Sequence, residues 1–281
     1  MPILNFPPVF YFLYISFTHS NGSQLLMDTA HLLNQISIIL YWICFGAYSA
    51  YWILGFTRWK LRFPILLGFV ILHLATITIR GISIEYFPLT NKYESFNAFA
   101  VATFIILLIY SKTESHIYRV TLFAIGYGFF VAAAIFPKGL SYAPPLMLTI
   151  WYILHVPLSF FCYALWVSAM AAAVARYFTS GEKKPYDQII DSGFQYGLIV
   201  FSISMIFGGL WGYVAWGSYF LWDAKVVWSV IIWFFYATCL HLDYWQEAKR
   251  FKPPMAILGF VILLMTYVGT SFLIGSTHSF R

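Results

Sequence analysis

Long apolar stretches separated by short polar connections make up most of the chain. A helix must have about 20 consecutive apolar residues to cross a bilayer, and eight stretches reach or approach that length. They cover residues 33–56, 63–80, 96–110, 118–136, 150–178, 193–214, 226–245 and 255–276. This pattern predicts an all-α polytopic bundle of about eight transmembrane helices. No internal repeat or low-complexity linker interrupts the pattern, so we expect a single domain over residues 1–281.

Residues 1–32 fit the pattern less well than the rest of the chain. The run over 3–17 is apolar, but it is short and contains Pro7 and Pro8. No basic region precedes it, which argues against a cleaved signal peptide. We expect an interfacial segment here. The alternative is a ninth span, which would leave the later loops on the same sides of the membrane.

Composition points to a membrane protein and excludes several soluble classes. Hydrophobic residues make up 61% of the chain and charged residues 9%, whereas about a quarter of a soluble domain is charged. A soluble enzyme, a disordered tail and a DNA-binding module are therefore excluded. Cys44, Cys162 and Cys239 lie in apolar stretches without CxxC spacing, so neither a disulfide framework nor a structural zinc site is indicated. The chain also lacks CxxCH and is not itself a c-type cytochrome.

The distribution of basic residues predicts the orientation in the membrane. With the N-terminus outside and eight spans, the inner connections carry 11 of the 16 Lys and Arg residues and the outer segments carry 5. Positive charges accumulate on the cytoplasmic side of membrane proteins, which favours this orientation. The net charge of +6 is then explained by topology rather than by nucleic-acid binding. The connection between spans six and seven lies outside.

Histidine is the ionisable residue that remains within or close to the predicted spans. All ten acidic residues fall in loops or near span ends, which argues against a proton-coupled transporter because such proteins usually need a carboxylate deep in a span. Neutral imidazole is less costly to bury and is a good ligand for haem iron. Four histidines lie in or beside spans: His73 within the second, His155 at the outer start of the fifth, His241 toward the inner end of the seventh, and His278 just past the eighth.

Each histidine also has a simpler interpretation. For His73 we favour a hydrogen bond to a neighbouring helix over a role as a ligand. His278 is three positions from the end of the sequence and could be solvated. His19 and His31 also lie on the outer side and compete as ligands, and spacing alone does not pair any of these residues.

A tryptophan-rich segment over 211–233 connects spans six and seven on the outer side. Five of the 11 tryptophans lie there: Trp211, Trp216, Trp222, Trp228 and Trp233. An interfacial aromatic belt would explain tryptophan enrichment in general, but it explains less well a cluster that also contains Gly217, Asp223 and Lys225. A flat aromatic shelf suits a large planar ligand, and cations nearby could pair with its anionic substituents. Together with the outer histidines, this shelf indicates haem.

This segment resembles a known family. WGSYFLWDAKVVW at 216–228 is similar to the tryptophan-rich WWD signature of haem-handling proteins in cytochrome c biogenesis, and most similar to the CcsA/ResC type of the System II pathway. The signature positions are Trp216, Gly217, Tyr219, Trp222, Asp223, Lys225 and Trp228. Three further stretches agree in the same order: FPLTNKYES at 87–95, HVPLSFFCYA at 155–164 and GTSFLIGSTHS at 269–279.

The chain departs from the family pattern at four positions of the signature. Phe220 stands where the family commonly has Trp, and Ala224 replaces a usual Pro. Val226 and Val227 replace Glu and Thr. The aromatic residues, Asp223 and Lys225 of the signature are kept, but the polar Glu and Thr are lost. This loss concerns how haem or an apocytochrome docks. It does not affect the histidines that the family uses as iron ligands.

The resemblance implies a role for each matching residue. It implies that His155 and His278 ligate the iron of haem b at the outer face, and that Trp216, Trp222, Trp228 and Tyr219 form a shelf for the ring. It also implies that His241 holds haem within the membrane, opposite a ligand from a separate CcsB/ResB-type partner. His73 ranks well behind that partner as the opposite ligand.

The resemblance further implies that haem is presented to the CxxCH thiols of apocytochrome c, within a haem lyase complex. We expect no catalytic acid, base or nucleophile in this chain. The membrane would be a bacterial cytoplasmic membrane or a thylakoid. One alternative is a haem exporter or chaperone of the CcmC type, without attachment activity. A second is a b-type electron-transfer subunit, which the outer placement of His155 and His278 disfavours.

Overall fold

The computed structural model describes residues 20–54, 59–110 and 115–272, and within these ranges the regular structure is entirely helical. Eight α-helices are long and apolar enough to cross a membrane, so the chain is an integral membrane protein with a polytopic helical fold, as the hydropathy pattern predicts. The helices are α1 (Ser20–Leu54), α2 (Trp59–Ser83), α3 (Lys92–Ile109), α4 (His116–Ala133), α5 (Ile150–Phe178), α6 (Lys184–Trp216), α7 (Ala224–His241) and α8 (Lys252–Tyr267).

Several helices begin earlier than the apolar pattern indicates, because polar residues form their first turns. α3 begins at Lys92, where the side chain of Asn91 caps the helix by accepting a hydrogen bond from the Glu94 backbone N–H at 2.9 Å. The predicted interfacial segment over 3–17 lies outside the described residues. The expectation of a single domain over 1–281 stays a prediction.

Helix α5 is the centre of the bundle. It packs against α3, α4, α6 and α8, while α1 with α2, α3 with α4, and α7 with α8 form neighbouring pairs. In the most apolar window of α5 83% of residues are buried, against 17% for α7. A residue on α5 is therefore held from several sides, whereas few residues of α7 are fully buried.

A buried ion pair joins α2, α3 and the connection between α4 and α5. The Arg80 side chain donates from Nε to Glu94 Oε1 at 2.9 Å, and the two side chains are only 3% and 1% exposed. The same guanidinium donates to the backbone oxygens of Lys138 at 3.0 Å and Gly139 at 2.8 Å. It also donates to the side-chain oxygen of Asn34 on α1. One guanidinium thus holds three helices and a loop together.

Glu94 is equally well satisfied on its other sides. Its Oε2 accepts from the Thr90 backbone N–H at 2.7 Å and from the Thr90 hydroxyl at 2.8 Å. Its Oε1 also accepts from the Asn91 side-chain amide at 3.0 Å. A buried charge is tolerated only when it is paired and hydrogen-bonded, and Glu94 meets both conditions. The glutamate of the FPLTNKYES stretch therefore has a structural role.

The opposite end of the bundle carries more exposed ion pairs. Lys252 at the start of α8 contacts Asp191 and Asp243, each at 2.6 Å. Arg176 at the end of α5 contacts Asp187 near the start of α6, also at 2.6 Å. Their carboxylates are about half exposed, so these pairs contribute less to stability than the Arg80 network.

Replacing the buried carboxylate should destabilise the fold strongly. Glu94→Gln leaves the Arg80 charge buried without an anion, which costs about 3–5 kcal/mol. The matched control, Asp187→Asn, removes a partly exposed pair and should cost about 1 kcal/mol or less. Thermal unfolding of the two variants in the same detergent measures the difference. Equal losses would contradict a special role for the buried pair.

Candidate functional site

His155 lies in the second turn of α5, at the same end of the bundle as the Arg80 network. Its Nδ1 is 2.8 Å from the backbone oxygen of Ser204 on α6. A carbonyl oxygen only accepts hydrogen bonds, so Nδ1 carries the proton and donates. The lone pair of the neutral ring is therefore on Nε2. A hydrogen bond from one imidazole nitrogen to a backbone carbonyl orients metal-ligating histidines in general, and His155 has this arrangement.

Two serines and a glycine complete the setting of the His155 ring. The Ser204 hydroxyl donates to the His155 backbone oxygen at 2.8 Å and lies 2.7 Å from the Ser159 hydroxyl. One turn further along α6, a Cβ atom at Gly208 would approach two ring atoms of His155 to 2.8 Å. The imidazole therefore fills the space that a side chain at 208 would need.

Sequence reasoning missed these three positions. Ser159 follows His155 by four residues, and Gly208 follows Ser204 by four, so each pair shares one helix face. That spacing was visible in the sequence. The spacing shows that these residues surround His155 only when the alignment of α5 against α6 is known.

The connection that leads into α5 is fixed by aromatic side chains. The Trp211 indole N–H donates to the Leu146 backbone oxygen at 2.7 Å, and the Tyr152 hydroxyl donates to the Leu89 backbone oxygen at 2.6 Å. The Tyr86 hydroxyl donates to the backbone oxygen of Met147. Burial raises the pKa of Tyr86 to about 12, so this phenol remains a protonated donor at neutral pH.

Trp211, the first residue of the tryptophan-rich segment, packs between His155 and Trp216. Its ring lies nearly parallel to the His155 imidazole, with centroids 6.2 Å apart and planes at 23°. On other sides it contacts Trp216 at 4.9 Å and Tyr152 at 5.0 Å. Trp211 is almost completely buried. It belongs to the architecture of the site, although the matching signature begins only at Trp216.

The non-helical part of the tryptophan-rich segment is shorter than the predicted loop over 211–233. Helix α6 continues to Trp216, and α7 begins at Ala224. Gly217 ends α6 in the left-handed conformation, with φ 73°, and its N–H donates to the Tyr213 backbone oxygen at 2.9 Å. Of the five tryptophans, only Trp222 lies in the connection. The predicted spans, which end at 214 and begin at 226, bracket this connection, whereas the tryptophan-rich segment over 211–233 extends into both helices.

The connection exposes a group of aromatic rings. Tyr219 is 62% exposed and Trp222 is 87% exposed. Tyr219 stacks on Tyr213 with centroids 4.5 Å apart, and Phe220 contacts Trp222 edge-on at 5.0 Å. Exposed Tyr and Trp rings at a helix connection fit an interfacial aromatic belt, and they also offer flat apolar surface to a ligand.

Asp223 has a local structural function at the end of the connection. Its carboxylate accepts a hydrogen bond from the Val226 backbone N–H at 2.9 Å and caps α7. An acidic residue at this position stabilises a helix N-terminus. Trp228, one turn into α7, is partly buried. The signature thus contains Gly217, which ends α6, and Asp223, which caps the start of α7, with the exposed rings between them.

A cavity opens beside His155 at this end of the bundle. It has a volume of about 150 Å³, below the roughly 300–1,000 Å³ of pockets that hold drug-sized ligands. It can therefore take an arm or an edge of a large ligand. α3, α5, α7 and the end of α8 all contribute to its wall, which includes Lys92, Phe96, His155, Phe160, Lys225 and Tyr267.

The other predicted site residues lie elsewhere. His241 ends α7, whose 18 residues span about 27 Å, so His241 and His155 are at opposite ends of the bundle. His241 is exposed, and its Nδ1 donates to the Ala237 backbone oxygen at 2.7 Å. His278 lies outside the described residues, and the pairing of His278 with His155 stays a prediction. His31 is exposed on α1.

His73 has a structural environment. It is fully buried, with Nε2 3.2 Å from the Asn97 side-chain oxygen and Nδ1 3.4 Å from the Tyr48 hydroxyl. The Asn97 amide nitrogen donates to the Tyr93 backbone oxygen, which directs the amide oxygen toward His73. Both ring nitrogens therefore have protein partners. Within the part of the chain that the structure describes, no group of three metal-ligating side chains occurs.

Comparisons with known proteins agree on one family. The sequence model of the family described as "Cytochrome C assembly protein" matches residues 89–278. The "Cytochrome c biogenesis protein CcsA" of Guillardia theta is 26% identical over 87% of this chain and 92% of its own length. The protein of that name from Pyropia yezoensis is 26% identical over 87% and 93%. That of Gloeobacter violaceus is 38% identical over 85 residues, or 30% of this chain.

Two tryptophans of the site should differ sharply in their contribution to stability. Trp211→Ala removes a buried ring and its hydrogen bond, and should cost about 3 kcal/mol or more. Trp222→Ala removes an exposed ring and should change stability by no more than about 0.5 kcal/mol. Thermal unfolding in detergent compares the two variants. A large loss in Trp222→Ala would show that its ring packs against the protein rather than facing a ligand.

Proposed function

Because the chain belongs to the cytochrome c assembly protein family and is a CcsA-type cytochrome c biogenesis protein, we propose that it binds haem b at the His155 end of the bundle. We further propose that it presents this haem for covalent attachment to apocytochrome c. Haem is here the substrate of the assembly reaction. The observation that carries the proposal is the His155 imidazole, oriented by its hydrogen bond to Ser204 beside a group of exposed aromatic rings.

His155 is proposed as one axial ligand of the haem iron. Neutral imidazole binds iron through a nitrogen lone pair, and donation from Nδ1 to Ser204 leaves that lone pair on Nε2. Stacking on Trp211 and the close approach of Gly208 restrict rotation of the ring. A ligand that is already oriented loses less conformational entropy on binding.

His278 is proposed as the second axial ligand, as the family resemblance implies. Tyr267 and Val268, at the end of α8, line the same cavity as His155. The described chain therefore reaches its last residues at the same end of the bundle. Placement of the His278 side chain is the part of this proposal that mutation must test.

The exposed rings of the connection are proposed to hold the haem plane. Tyr219 and Trp222 offer large apolar surfaces, as stacking on a planar ring requires. Trp216, packed on Trp211, and Trp228, in the first turns of α7, are proposed to complete this surface. Gly217 and Asp223 fix where the two helices stop, and so determine how far the exposed rings project.

His241 is proposed to hold haem earlier, on its way across the membrane, together with a CcsB/ResB-type partner protein. His241 is exposed on α7, the helix with the smallest buried share, so a partner in the membrane could reach it. His73 is a poor candidate for the opposite ligand because Asn97 and Tyr48 contact both of its nitrogens.

The proposed contribution to the reaction is positioning. Attachment joins the two cysteine thiols of CxxCH to the two vinyl groups of haem as thioethers. The residues of this chain hold the iron, orient the ring and present its edge, and such fixed geometry supplies much of the rate advantage of enzymes. We propose that the chain acts as a subunit of a haem lyase complex.

The His155 end is proposed to face the periplasm or the thylakoid lumen. In the predicted topology the connections at the opposite end carry 11 of the 16 basic residues, in accord with the positive-inside rule. The acceptor cytochromes of such a reaction would then be on the His155 side.

A haem exporter or chaperone of the CcmC type is the second candidate function. It requires the same ligands and aromatic rings but no attachment. Incubating the purified chain with its partner, haem and apocytochrome c separates the two. Formation of the thioether product supports attachment, and transfer of haem without thioethers supports the chaperone. A b-type electron-transfer role lacks support because His73, buried inside the bundle, is engaged by protein side chains.

His155→Ala should lower haem retention by at least about tenfold and abolish cytochrome c maturation, because an axial ligand is lost. Added imidazole should restore much of the haem spectrum by occupying the vacated position. Absorption spectra of the purified variant and detection of holocytochrome measure both effects. Normal spectra and normal maturation in His155→Ala and His278→Ala would show that the ligand assignment is wrong.

A pair of neighbouring glycines tests whether the orientation of His155 matters. Gly208→Ala places a methyl group against the imidazole and should weaken haem binding by about tenfold or more. Gly209→Ala is the control. A Cβ atom at position 209 would lie 3.5 Å from its nearest neighbour, which is an ordinary contact, so this variant should leave haem binding unchanged. Haem titration of both variants measures the difference. Equal affinities would mean that the close approach at Gly208 does not determine the ligand position.

A further inference from the structure

The wall of the cavity beside His155 contains Lys225, which forms no ion pair among the described residues, although the Asp223 carboxylate two positions earlier acts on it electrostatically. Lys225 is the second residue of α7, and its Nζ lies 5.8 Å from the centroid of the Tyr267 ring. In the described ranges its ammonium makes neither a salt bridge nor a hydrogen bond, whereas Lys252 contacts two carboxylates. Because Lys225 lies in the cavity wall, an anion from outside the chain can reach its ammonium group.

The same cavity contains a second polar group that is not fully satisfied. Tyr267 is 7% exposed, and its buried hydroxyl interacts with the Ser95 side chain without a contact of hydrogen-bond geometry among the residues described. A buried hydroxyl left unpaired costs roughly 1–3 kcal/mol, so such groups usually meet a ligand or water. A phenol and an ammonium both donate hydrogen bonds. A ligand group that accepts from both is an anion, and a carboxylate suits the pair.

The rest of the cavity restricts the kind of molecule that could carry this carboxylate. Phe96, Val156 and Phe160 give it apolar walls, and His155 lies on the same wall. A volume of about 150 Å³ takes a short flexible arm but not a macrocycle. Haem combines iron for His155 with carboxylates on short propionate arms, so one molecule can occupy both positions.

We propose that Lys225 and Tyr267 form a carboxylate subsite that holds a propionate of haem while His155 ligates the iron. This inference rests on the proposed function and extends it from binding to orientation. The propionates of haem b project from one side of the ring, and the vinyl groups lie away from them. Anchoring a propionate in the cavity therefore turns the vinyl-bearing part of the ring outward, toward Tyr219 and Trp222, where the thiols of an apocytochrome can reach it.

The test compares haem with haem dimethyl ester, which has the same iron and ring but no propionate charge. The full-length chain in detergent should bind haem about tenfold more tightly than the ester, as a charge-assisted contact predicts. Lys225→Met should lose this preference while its affinity for the ester stays unchanged. Lys225→Arg, which keeps the charge, should retain most of it. Tyr267→Phe should lose a smaller part, about threefold, because a single neutral donor is removed.

A second lysine in the cavity wall provides the matched control. Lys92 lies with its Nζ 5.8 Å from the Phe136 ring centroid, and Lys92→Met should keep the preference for haem. The position of the Soret band should be the same in Lys225→Met and the parent chain, because the iron ligands do not change. If Lys225→Met fails to fold, Lys225→Arg and Tyr267→Phe carry the test.

The outcomes separate this inference from the function on which it rests. Equal affinity for haem and its ester, or a preference that survives Lys225→Met, would overturn the carboxylate subsite and leave haem binding intact. Loss of the preference in Lys92→Met instead of Lys225→Met would also overturn the assignment. Binding of neither porphyrin by the parent chain would overturn the proposed function itself.

Discussion

The buried pair of Arg80 and Glu94 determines the geometry of the end of the bundle where the candidate site lies. Glu94 is in the first turn of α3, which lines the cavity, and Arg80 ties the connection that leads into α5 and His155. An ion in a medium of low dielectric constant is stable only beside its partner. The distance between the walls of the site is thus fixed by an interaction that has no direct part in binding.

Hydropathy predicted the eight helices because lipid leaves the backbone few alternatives: every N–H and C=O group must be paired within the chain. The same physics explains why acidic residues are confined to the span ends. It does not encode how two helices are aligned along their length. Ser204 and Gly208 come together with His155 only when α6 lies against α5 in one particular register, so the sequence predicts His155 as a candidate ligand without showing which residues orient it.

The sequence also does not show which of the histidines in apolar stretches could bind a ligand. His73 and His155 are both neutral imidazoles in apolar stretches, and the family pattern supplied the reason to favour His155. The structure adds a physical distinction. Two side chains contact both nitrogens of His73, whereas the backbone of α6 orients His155 beside a cavity and a row of exposed rings. The predicted span limits located the tryptophan-rich connection to within about three residues, although the aromatic residues themselves continue into both helices.

Helix α7 connects features that are otherwise far apart. Lys225 is near its first residue, His241 is its last, and few of its residues are fully buried. A regular helix moves largely as a rigid rod, so displacement of one end is transmitted to the other. A protein that docks along the whole of α7 would therefore meet the tryptophan-rich connection at one end of the bundle and His241 at the other.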